Sequence, residues 1–184
     1  MINRLFFALT LILFSTVAFS QSGTEQRNRE GHYAFTPLSG WTVKFRGTES
    51  NVYAPADGAM DSWDEKVDFG VSDGEDIELE DAYDFYIKTD FPQAYGKFKV
   101  IAQGDEIIHG LKAKWATFTF SATGVATGGT GAGDSTISAT LQAVFYLFKK
   151  NNSLYLVNGV TEKSLFPKYE NSFRSIIRTF RAEE

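Results

Sequence analysis

The sequence predicts an α+β fold in which a mostly antiparallel sheet of about six strands is sandwiched between helices. Three observations carry this. Residues 141–148 (LQAVFYLF) and 154–160 (LYLVNGV) are apolar on both alternating faces. A strand with one wet face alternates, so this pair belongs in mid-sheet with cover above and below. The polar stretch 149–153 (KKNNS) between them suits a hairpin turn. A third apolar pattern follows, with Tyr169, Phe173, Ile176, Ile177 and Phe180 on one helical stripe that supplies cover for one face.

The preceding elements follow in order. Residues 1–20 have the make-up of a secretory leader: Arg4 is the positive start, 5–14 an apolar run, and 15–20 turn small and polar. Ala18 and Ser20 sit where small residues precede a cut, which makes Gln21 the new N-terminus. The apolar run is shorter than the roughly 20 residues a span needs and has no basic flank after it, so no membrane span is expected after cleavage. Without cysteine, no lipid can be attached at the cut and no disulfide can form. The chain is therefore expected to be exported, periplasmic or secreted, unlipidated and monomeric. Its stability must come from one packed core.

Residues 21–31 (QSGTEQRNREG) are polar throughout and read as a flexible leader, so the single domain is expected to span 32–184. Tyr33 and Phe35 alternate into a short strand, 37–40 turn, and 41–45 and 51–54 form two more strands. Strand 66–71 places Val67, Phe69 and Val71 on one face. A helix is predicted over 79–90, ended by Pro92, which disfavours a helical Phe91. Strands at 98–102 and 106–108 are separated by a turn at Gly104-Asp105. A further strand over 112–120 carries Trp115 on one face and Phe118 and Phe120 on the other. A loop spans 121–135, and Ser164 is positioned to cap the last helix, with Pro167 in its first turn.

Candidate chemistry is sparse. Between Asp57 and Asp90 stand thirteen acidic residues against Lys66 and Lys88. Asp73, Glu75, Asp76 and Glu78 could offer carboxylate oxygens to a hard cation, yet no window has the calcium-loop spacing. Glu78, Glu80 and Asp81 instead suit the first turn of a helix, where negative charge complements the macrodipole. Residues 70–74 (GVSDG) match G-x-S-x-G, which would make Ser72 a nucleophile, His109 its base and Asp105 the orienter. Against that reading, five residues intervene before the helix and the neighbouring acids oppose an oxyanion. His32 and His109 belong to no metal-binding motif. The segment 128–135 (GGTGAGDS) lacks the lysine of a phosphate loop. Arg174, Arg178 and Arg181 are placed to favour a helix C-terminus, and the acidic balance argues against nucleic acid. The 15% aromatic content fills a core or lines a pocket for an apolar ligand, with Trp41, Tyr83, Tyr86 and Trp115 the residues to inspect. No catalytic, cofactor-binding or metal residue is assigned.

The opening Tyr33-x-Phe35-x-Pro37-x-x-Gly40-Trp41 resembles the start of PsbP-like domains of the Mog/PsbP fold, and the close at Thr179-Phe180 is similar to their ending. The resemblance covers residues 32–181. It implies an antiparallel sheet between helical layers and a binding or assembly role without a catalytic centre. No family site is carried over with it. The expected function is an exported, non-catalytic binding or accessory domain that contacts an envelope protein or a small apolar ligand. The alternatives are a small serine hydrolase using Ser72 or a carrier of an apolar ligand.

Overall fold

A computed structural model describes residues 23–56, 63–126 and 135–183. The leader expected over 1–20 lies outside them, as do the glycines of the stretch 128–135. The described elements run β1 (Gln26–Asn28), β2 (Tyr33–Phe35), β3 (Thr42–Arg46), β4 (Glu49–Tyr53) and β5 (Lys66–Asp73). A helical run follows as α1 (Leu79–Phe85), a π-helical turn (Tyr86–Asp90) and α2 (Phe91–Ala94). Then come β6 (Gly96–Ile108), β7 (Leu111–Ala126), β8 (Ser135–Lys150), β9 (Ser153–Glu162), α3 (Phe166–Ile177) and β10 (Arg181–Ala182).

Seven strands form one antiparallel sheet in the order β3-β4-β5-β9-β8-β7-β6. The β8–β9 ribbon lies inside it, as its two apolar faces require. Val144, Tyr146, Phe148 and Val157 pack toward α3, while Leu141, Ala143, Phe145 and Leu147 pack toward the α1–α2 run. All eight are at most 3% exposed. The helical run covers β6, β7 and β8, and α3 covers β9, β8 and β5 on the opposite face. A second sheet, β1-β2-β10, extends the α3 side, where Phe35 stacks on Phe69 at 4.2 Å and Phe180 packs tilted against Phe148 at 4.6 Å.

Five local expectations are corrected. The polar stretch 21–31 is not all a leader: Gln26–Asn28 pairs with β2. Asn28 is buried and its amide donates to the Gly47 and Glu49 carbonyls at 2.9 and 3.1 Å. Hydrogen bonding, invisible to a hydropathy reading, holds it there. No turn occurs at Gly104-Asp105. β6 is one strand with a bulge at Ile101, and the chain reverses at His109 and Gly110, both at positive φ. A Cβ at Gly104 would crowd the Trp115 ring at 3.1 Å, so the ring would have to shift. Pro92 does not end the helix at Asp90. In the π turn Phe91 donates to Tyr86, five residues back, and this wider coil admits the proline ring. Ser164 caps nothing; Leu165 takes the N-cap position without a side-chain bond, with Pro167 in the first turn as expected. The loop expected from 121 instead begins as strand, with β7 and β8 paired out to Ala126 and Ser135.

Candidate functional site

The structure does not assemble the serine triad. Ser72 sits within β5 rather than on a strand-to-helix turn, and its Oγ donates to the Asp73 carbonyl at 3.2 Å. His109 lies on the β6–β7 turn, and β9 and β8 separate that hairpin from β5, so its nearer strand is three spacings away. Three strand spacings are about 14 Å, well beyond hydrogen-bond reach. Asp105 pairs with Lys114 at 2.8 Å, whose hydrogen bond holds the carboxyl below its ordinary range. The acidic stretch does not converge either. Asp73 accepts the Glu75 amide at 3.0 Å, and among the described residues no three His, Asp or Glu side chains cluster to hold a metal ion.

Most of the aromatic content is core. Trp41 meets Tyr169 and Phe173 edge-on, and Tyr86 packs against Phe91 and Phe145. Trp115 lies beneath the Arg174 guanidinium at 4.9 Å, and Tyr83 is buried with its hydroxyl on the Trp115 carbonyl at 3.0 Å. Trp63, Tyr95 and Phe120 remain for a pocket, and of these the sequence reading singled out only Phe120, as a strand residue.

That pocket follows from the layer geometry. The α1–α2 run covers only the β6–β8 half of its face. The same face of β5 and β9 is left as the floor of a cleft of about 460 Å³. Tyr95, just past α2, and Phe120 and Leu141 from β7 and β8 form one wall; Trp63, before β5, forms part of the rim. Strand register sets the floor. Asn51, Asp68 and Asn158 lie side by side across β4, β5 and β9, and the next row pairs Lys66 with Val160. Asn51 donates to Asp68 Oδ1 at 2.5 Å, and Lys66 Nζ lies 2.8 Å from Asp68 Oδ2. Burial works against the Lys66 ammonium, but the charge of Asp68 and its hydrogen bond outweigh it and raise the pKa. Burial, aided by Asp90 and Asp68, likewise raises the Tyr95 phenol.

Among the described residues, two side-chain atoms of residues that line this cleft have no partner. The Trp63 indole Nε1 and the Asn158 Oδ1 are both shielded from solvent and unbonded. A buried group left unpaired costs about 1–3 kcal/mol, so orphans are rare and call for a cause. Asn158 had a signal in the sequence: it is the single amide in the apolar run 154–160. Trp63 and Tyr95 had none, because each lies outside the periodic segments and reaches the cleft only through the fold.

Solved structures show the same architecture. A cyanobacterial PsbP (CyanoP) from Synechocystis matches at TM-score 0.57 and 14% identity, over 91% of this chain and 95% of its own. A Pseudomonas aeruginosa protein of unknown function matches at TM-score 0.54 and 15% identity, over 86% and 95%. Neither a protein-family model nor a curated protein matches the sequence. The chain has a PsbP-like fold. The two motifs that suggested it meet in space: the Thr36 amide donates to Thr179 Oγ1 at 2.7 Å, and Phe180 lies 6.0 Å from Tyr33.

Proposed function

We propose that this chain is an exported, non-catalytic binding domain whose ligand site is the cleft over β5 and β9. The hollow of about 460 Å³, walled by Tyr95, Phe120 and Leu141 and floored by the Lys66–Asp68 pair and Asn158, carries this reading. The volume is ordinary for ligand pockets, which combine apolar walls with a few placed polar groups. Separation of Ser72 from His109 supports a binding role over the hydrolase alternative. Among the described residues no helix is long and apolar enough to cross a membrane.

Amide spectra of the labelled chain, recorded against a fragment collection, test the site. Ligands should move the Trp63 indole N–H and the Asn158 side-chain amide together, the former assigned with Trp63→Phe. Shifts confined to any other surface would overturn the assignment. Export is tested by expressing the full chain in a Gram-negative host. A periplasmic product beginning at Gln21 is expected, and an intact cytoplasmic chain would refute it.

A further inference from the structure

We draw no further inference here: the strongest candidate, the open groove that carries the cleft on past Gly70 to Glu49 and Leu156, belongs to the site already described, and nothing in the structure shows what occupies it.

Discussion

Asn158 keeps a buried oxygen without a partner, which costs stability where it stands. Its neighbours in the register are Asp68 on β5 and Phe145 on β8, and neither satisfies its buried oxygen. Replacing an unpaired polar group by an apolar one of similar shape is close to neutral or stabilising. Asn158→Leu should therefore hold or raise the stability read from the urea midpoint, by up to about 1 kcal/mol. A loss of stability would mean that the amide has a structural partner. Tyr83 makes a different residue-scale prediction. Burial first, then the charges of Asp105 and Asp84, push its phenol from 10.0 up to about 12. Below pH 10 both folded and unfolded chains keep this proton, so it contributes no pH dependence. Above pH 10 the unfolded chain releases it while the folded one holds it to about 12, so stability falls across that interval. Denaturant midpoints from pH 9 to 12 should decline less steeply in Tyr83→Phe.

At the scale of elements, the seat of α3 on the sheet depends on a missing side chain. A Cβ at Gly159 would stand 2.6 Å from the Phe173 Cβ, closer than two carbons can approach. Gly159→Ala should cost about 1–3 kcal/mol through displacement of α3, read as a lowered melting temperature. Arg174 fixes the same helix by geometry. Its guanidinium bonds Glu170 and Tyr146 at 2.9 Å and Thr117 at 3.2 Å while stacking on Trp115. A lysine has the charge without the planar fork, so Arg174→Lys should also destabilise, by about 1–3 kcal/mol in urea unfolding. These contacts explain which elements could be read in advance. The α3 stripe was legible because apolar spacing of 3.6 residues is a local property. The continuation of the first helix through Pro92 was not, since the π turn that admits it draws on Tyr86 and Phe91 packing against Phe145. The strand at Gln26–Asn28 was hidden too: its composition is polar, and its order comes from bonds to Gly47, Glu49 and Ser50.

For the whole molecule, the interior position of the β8–β9 ribbon sets the hierarchy of stability. Its strands are hydrogen-bonded on both sides and covered on both faces, so local opening there must breach the entire sandwich. Amides of 144–148 and 155–157 should exchange most slowly and at one common rate limit, that of global unfolding. The edge strand β6, with its bulge at Ile101 and Lys97 and Lys99 outward, should exchange far sooner. Fast exchange at Phe145 would contradict the layered architecture.

By itself the sequence determined the layers, because burial on one face or two is written in the period of apolar residues along a single strand or helix. It also marked the two ends whose motifs, Tyr33-x-Phe35 and Thr179-Phe180, resemble the fold that was found. Only the tertiary structure decided the cleft. Trp63, Lys66, Tyr95 and Asn158 come from a loop, a strand, a helix end and another strand, and span 96 positions of sequence. They converge because the helical run is too short to cover the whole sheet, and no local pattern records what a distant helix leaves bare.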